Sequence, residues 1–301
     1  MKGIKKISYV MQNLLDGGIT MKWRGRGQST NVEDRRGRGM GGVGIAGGGI
    51  GLIIVIIVTL LGGNPGDLIN STPGTNISDA PYEETEQEKE RADFVSVVLA
   101  DTEVVWNELF KEAGYNDYQE PSMVLYTNQV QSACGNAGSS VGPFYCPGDY
   151  KLYIDLSFYD ELEQKFNAPG DFAMAYVVAH EVGHHVQTLL GTNEKVMALR
   201  QKLSEKEFNQ YLIRLELQAD YYAGVFAHYA EDEGYLDVGD VEEAINAASA
   251  VGDDNIQKKA QGHVVPDSFT HGTSEQRMRW FKKGYESGTI EGGDTFSAKE
   301  L

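Results

Sequence analysis

The sequence predicts an α+β domain, predominantly helical with a small sheet, standing behind one N-terminal transmembrane helix. Three observations carry this. A long uncharged stretch lies near the N-terminus, a few strand-like segments precede many helix-like ones, and all six histidines fall in the second half of the 301 residues. Strands followed by helices argue for segregated α and β regions rather than alternating βα units.

Residues 39–66 contain no Asp, Glu, Lys or Arg. Their apolar heart, residues 43–61, would span about 28 Å as a helix, close to the hydrocarbon thickness of a bilayer. It has no polar stripe, which excludes an ordinary core helix, and Leu60-Leu61-Gly62-Gly63 is a poor signal-peptidase site. The formal charge of −18 hides an asymmetry: +6 over residues 1–40 and −24 over the rest. Lys22, Arg24, Arg26, Arg35, Arg36 and Arg38 precede the span, so the N-terminus is expected inside and the body outside the cytoplasmic membrane. The spacings Gly44/Gly48 and Gly47/Gly51 would let two such helices approach and form a homodimer. So acidic a body excludes general nucleic-acid binding. Two cysteines exclude a disulfide-rich scaffold and a four-cysteine zinc site.

Asp16-Gly17-Gly18-Ile19-Thr20 stands just before Met21, and its two Gly codons can spell a purine-rich ribosome-binding sequence. Translation is therefore expected to begin at Met21. The remaining organisation reads as a basic cytoplasmic segment over 1–40, the span over 41–63 and a flexible Gly/Pro/Ser/Thr/Glu-rich stalk over 64–90. A folded domain over 91–287 and a polar tail over 288–301 follow.

Within the domain, Phe94, Val97, Val98, Val105, Leu109 and Phe110 recur at helical spacing until Gly114. Met123 to Tyr126 and Lys151 to Leu156 have strand character, and the Gly-rich loop between them holds Cys134 and Cys146. An even cysteine count in a body outside the membrane predicts that these two form a disulfide. Ser157 can cap a short helix, and Asp171 opens another that runs to Gly191. Ser204-Glu205-Lys206-Glu207 is a capping box opening a long helix towards Glu231. Asp240 can cap a further helix, and a last one covers about 274–285.

His180-Glu181-Val182-Gly183-His184 is the chemical centre of the sequence. On a helix, His180 and His184 share one face and can reach a single Zn²⁺, while Glu181 is turned about 100° away, near a metal-held water. The apolar approach from Ala173 to Ala179 indicates burial, and buried imidazoles need partners. A zinc site open to water needs a third protein ligand. Position 190 is Leu, which excludes a histidine six residues beyond His184. Glu216 is the candidate; Asp220, one turn on, is its rival and otherwise a hydrogen-bond partner for a ligand histidine.

The chain resembles the neutral zinc metallopeptidases, single-pass membrane proteins common in bacteria. The likeness runs from Met21 to about Phe281. It is carried by Met21-Lys22-Trp23-Arg24, Asn31-Val32-Glu33-Asp34-Arg35-Arg36-Gly37, Val141-Gly142-Pro143-Phe144-Tyr145-Cys146-Pro147, the His180 motif, Glu216 to Asp220, and Val264 through His271 to Arg277. The resemblance implies a zincin-like peptidase domain with one Zn²⁺ per chain and favours Glu216 as third ligand over Asp220. In some zincins with a glutamate as third ligand a His followed by an Arg near the end of the domain assists catalysis, and His271 and Arg277 occupy such a place here. The expected function is a membrane-anchored peptidase acting on a peptide or protein substrate, with Glu181 as general base and His271, or else His263, donating to the oxyanion. The competing reading is a non-enzymatic, zinc-stabilised scaffold or partner-binding module, which would need no Glu181. Lys151 to Leu156 is expected to be the edge strand that an extended peptide joins.

Overall fold

The computed structural model describes residues 21–37 and 82–301. The expected transmembrane helix, with the homodimer contact assigned to it, lies outside the described residues. Among those described, no helix is long and apolar enough to cross a membrane.

In chain order the elements are β1 (Val32–Asp34), α1 (Glu86–Glu112), β2 (Ser122–Tyr126), β3 (Gln129–Ser132), β4 (Gly135–Gly138), β5 (Phe144–Cys146) and β6 (Lys151–Asp155). Only helices follow: α2 (Phe158–Gln164), α3 (Asp171–Leu189), α4 (Thr192–Met197), α5 (Glu205–Asp232), α6 (Asp240–Ala250), α7 (Asp253–Gln261) and α8 (Ser274–Ser287). The fold is α+β, mostly helical with a small sheet. That sheet has the order β1-β2-β6-β5, with β5 alone antiparallel to its neighbour, and β3 and β4 form a separate hairpin.

Two expectations about the sheet are corrected. Lys151 to Leu156 is not an edge strand, because β6 is paired on both sides, by β2 and by β5. The ends of the sheet are β1 and β5. The other correction concerns the N-terminal segment. Residues 21–37 were expected to be separated from the domain by the membrane, yet they are part of it. Met21 is 1% exposed, within the main core cluster. Lys22 N–H donates to the Tyr235 carbonyl, Arg26 pairs with Asp101, and β1 pairs with β2 in the register Val32 to Met123. Gly37 meets Tyr82, so the chain leaves the described fold and rejoins it at one place.

The domain is also wider than residues 91–287. The helix expected near Arg91 starts at Glu86, because Thr85 and Glu88 form a capping box that the stalk-like composition masked. Beyond α8 the tail is anchored: the Thr295 hydroxyl donates to the Arg214 carbonyl at 2.6 Å, and Arg214 donates to the Ala298 carbonyl at 3.1 Å. The capping boxes at Ser204/Glu207 and Thr273/Gln276 fix the starts of α5 and α8.

Helices α3, α5 and α8 form the frame of the site. α3 is buried along almost its whole length, since apolar residues occupy every side of its first half. α8 crosses α5 so closely that a Cβ on Gly284 would lie 1.9 Å from the Tyr221 carbonyl oxygen. This contact lets Arg277 of α8 reach Asp220 on α5.

Candidate metal centre

His180 and His184 stand one turn apart on α3, and Glu216 faces them from α5. One ligand atom of each lies within 4.8 Å of the others, and all three residues are buried. His180 Nε2 is 3.2 Å from Glu216 Oε2, and His184 Nε2 is 3.5 Å from Glu216 Oε1. Gly183 makes this possible. A Cβ there would sit 3.0 Å from the Ala219 carbonyl oxygen, so only hydrogen lets α5 approach α3 this closely.

Each imidazole is oriented through its other nitrogen. His180 Nδ1 is 2.9 Å from Asp220 Oδ1, and His184 Nδ1 is 2.9 Å from Gln187 Oε1. Both Nε2 atoms therefore turn inward. Asp220 is held in turn by Arg277, whose Nε and Nη2 donate to its two oxygens at 2.8 Å, and by the Tyr176 hydroxyl at 2.6 Å. Burial alone would raise the Asp220 carboxyl, but Arg277 and His180 hold it down at about 2. Burial also opposes protonation of His180, yet Asp220 and Glu216 raise it to about 9.

Two nitrogens and one carboxylate oxygen, buried and convergent, are a donor set that suits Zn²⁺. The residues present fit that ion. They open onto a cavity of about 220 Å³ that Glu181 and His271 also line. Glu181 is 8% exposed, and burial raises its carboxyl above the usual range. His271 is held by Asp253, whose Oδ1 is 3.2 Å from Nδ1 and whose Oδ2 accepts the backbone N–H groups of Thr270, His271 and Gly272. Burial by itself would lower His271, but Glu216 and Asp253 raise it.

Of the two histidines considered as oxyanion donors, only His271 reaches the cavity. His263 is exposed, beside the Gln261 carbonyl, and does not line it. Arg277 belongs to the network under His180 through Asp220. Asp220 is the partner of His180 and is not a member of the convergent His180–His184–Glu216 group. Cys134 and Cys146 are bonded to each other. His185 lies off the ligand face, between the Tyr145 hydroxyl and the Gln119 carbonyl.

The sequence reading missed Gln187, Tyr176 and Asp253. Gln187 lies three residues after His184 and Tyr176 four before His180, so helical spacing alone could have found both. Asp253 had no local signal, because it meets His271 only through the docking of α7 against the loop before α8.

An α+β domain with a buried His-His-Glu triad on two crossed helices, opening on a cavity, defines a class of candidate zinc hydrolases. Residues 21–296 match the family described as "Putative neutral zinc metallopeptidase", and the chain belongs to it. It is 48% identical over 284 residues to the Uncharacterized protein YpfJ of Escherichia coli (strain K12), covering 92% of this chain and 99% of that protein. It is 39% identical over 261 residues to the Uncharacterized protein Rv2575 of Mycobacterium tuberculosis (strain ATCC 25618 / H37Rv), covering 80% and 86% respectively. No solved structure matches.

Proposed function

We propose that the protein is a zinc-dependent peptidase, associated with a membrane through the uncharged stretch at residues 39–66, that hydrolyses peptide bonds with Glu181 as general base. The observation that carries this reading is the open side of the triad. His180, His184 and Glu216 would supply three ligands, and all three line a cavity that Glu181 and His271 also line. A purely structural site would close its fourth position with protein and would need neither residue.

His180, His184 and Glu216 would hold the ion. Bound there, Zn²⁺ supplies Lewis acidity and lowers the pKa of a water. Glu181 takes a proton at its carboxylate as water attacks the peptide carbonyl and delivers it to the leaving amine. Its raised carboxyl suits both directions of transfer. His271, oriented by Asp253, presents its remaining ring nitrogen to the cavity as a donor to the developing oxyanion. Asp220 and Arg277 keep His180 in one tautomer.

The substrate-binding region is displaced from β6 to the chain leading into β5, since Gly142, Pro143 and Phe144 line the cavity. Its other walls include Val141, Phe158, Phe166, Val177 and Ile256. Such walls favour a large apolar side chain next to the scissile bond.

The test is metal analysis of the purified protein together with a peptide-library digest of wild type and Glu181→Gln. We expect zinc in both, cleavage beside large apolar residues by wild type, and a loss of about 10²–10⁴-fold in the variant. Equal cleavage by the two proteins would sink the mechanism.

A further inference from the structure

Away from the metal centre a second group of carboxylates converges. Asp171, Asp240 and Glu243 bring one oxygen each within 4.8 Å of the others. Asp171 is the first residue of α3 and Asp240 the first of α6, so two helix N-termini supply partial positive charge. Glu243 Oε2 accepts the N–H of Phe172 at 3.1 Å. These dipoles leave much of the charge unanswered. Asp240 is 1% exposed and its Oδ1 has no partner; Asp171 Oδ2 has none either. Lys22 acts on Asp240 from a distance, its Nζ being 3.2 Å from Asp237 and 3.1 Å from the carbonyls of Gly234 and Leu236.

Besides the Phe172 N–H on Glu243 and the Asp237 N–H on Asp240 Oδ2 at 2.8 Å, one further nitrogen points into the group. Met21 N donates to Asp171 Oδ1 at 3.4 Å, and the Met21 side chain is fixed in the core. As a peptide N–H that nitrogen is neutral and has a single proton to give. As the first atom of a chain it is an ammonium with three protons and a pKa near 8. We infer that Met21 is the first residue of the working protein and that its α-ammonium is the cation Asp171, Asp240 and Glu243 are arranged to hold.

Burial, and then mutual repulsion, push Asp171 and Glu243 up to about 7, while burial takes Asp240 to about 6. A fixed positive charge among them would reverse that, as an opposite charge at close range favours the ionised carboxylate. A divalent cation fits less well. It would demand six or more oxygen ligands, and the Met21 N–H occupies one face of Asp171 with a donor. Lys22 in the second position suits a retained Met, because removal of an initiator Met requires a small neighbour. The family match also begins at residue 21.

The test compares full chains in detergent, one initiated at Met21 and one initiated at Met1 with the codons for residues 16–20 recoded synonymously. Each is made as wild type and as Asp240→Asn, and all are melted in EDTA and with added Ca²⁺ or Mg²⁺. We expect Asp240→Asn to lower the melting temperature of the Met21-start chain by about 2–4 °C or more and to leave the Met1-start chain unchanged or more stable. Intact mass of the protein made from the unaltered gene should begin at Met21. The same shift in both chains, a detected peptide from residues 1–20, or stabilisation by the divalent ions that Asp240→Asn abolishes would each overturn the inference. Should Asp240→Asn fail to fold, acylation of the wild-type Met21-start chain decides. The α-amine should resist an amine-reactive reagent in the native protein and react on unfolding; equal reaction in both states refutes the site.

Discussion

Asp220 holds His180 and Arg277 at once, with Oδ1 2.9 Å from His180 Nδ1 and Oδ2 2.8 Å from Arg277 Nε. Asp220 is therefore a support, while Glu216, one helical turn earlier, faces His180 and His184. The geometry orders two variants. Glu216→Ala removes a ligand and should empty the site, whereas Asp220→Ala should weaken zinc binding by about 10–100-fold. Asp220→Ala should also destabilise the fold by about 3–5 kcal/mol, because it strands the buried Arg277 guanidinium without its counter-charge. A zinc titration with parallel urea unfolding separates these effects. Tighter zinc binding by Glu216→Ala than by Asp220→Ala would exchange the two roles.

Gly183 offers an opposite-signed test of the same frame. Helix propensity alone predicts that Gly183→Ala stabilises α3 by about 1 kcal/mol. The contact with Ala219 predicts the reverse, since a Cβ 3.0 Å from its carbonyl oxygen and 3.1 Å from its Cα must push α5 away. Overpacking of this kind costs about 1–3 kcal/mol. Glu216 moves with α5, so zinc affinity should fall alongside stability. A more stable Gly183→Ala protein with unchanged zinc affinity would show that the close approach does not set the site.

The sequence made the site legible to the extent that it was local. His180, Glu181 and His184 share one helix, and a spacing of four fixes their relation without any knowledge of the fold. Glu216 and Asp220 were readable as a pair for the same reason, but which of them faces the histidines depends on how α5 packs on α3. That is tertiary information. Asp253 was invisible because His271, the residue it holds, lies 18 positions away and meets it only in the folded domain. Strand β1 was missed because three residues in a basic segment carry no pattern of their own, and the uncharged stretch after them suggested a boundary. Its pairing with β2 across 91 positions, Val32 to Met123, is a property of the assembled sheet alone.

The disulfide closes the loop that forms one wall of the cavity. Cys134 follows β3 and Cys146 ends β5, so the bond ties together the two ends of the segment containing Val141, Gly142, Pro143 and Phe144. Closing a loop of this length stabilises by about 3 kcal/mol in the chain-entropy model. The double variant Cys134→Ser/Cys146→Ser should lose about that amount in urea unfolding and should cleave peptides with a raised KM. A non-reducing peptide map with both native cysteines alkylated would remove the basis of this prediction.

The packing of residues 21–37 onto the domain carries a prediction about sidedness. Flanking charges alone place the N-terminus inside and the body outside. Yet β1 is hydrogen-bonded to β2, and Gly37 meets Tyr82, where the chain rejoins the fold. A bilayer cannot pass between two strands of one sheet. Gln28 and Lys299 are both exposed, and the chain's only two cysteines are joined, so a cysteine introduced at either position gives a clean signal. Gln28→Cys and Lys299→Cys should react alike with a membrane-impermeant maleimide on intact cells. A disulfide belongs to an oxidising compartment, so both should be labelled from outside. Labelling of both only after lysis would keep the single-sided fold and move it to the cytoplasm. Labelling of Lys299→Cys alone, with Gln28→Cys protected until lysis, would mean that β1 and β2 do not pair in the membrane-bound protein.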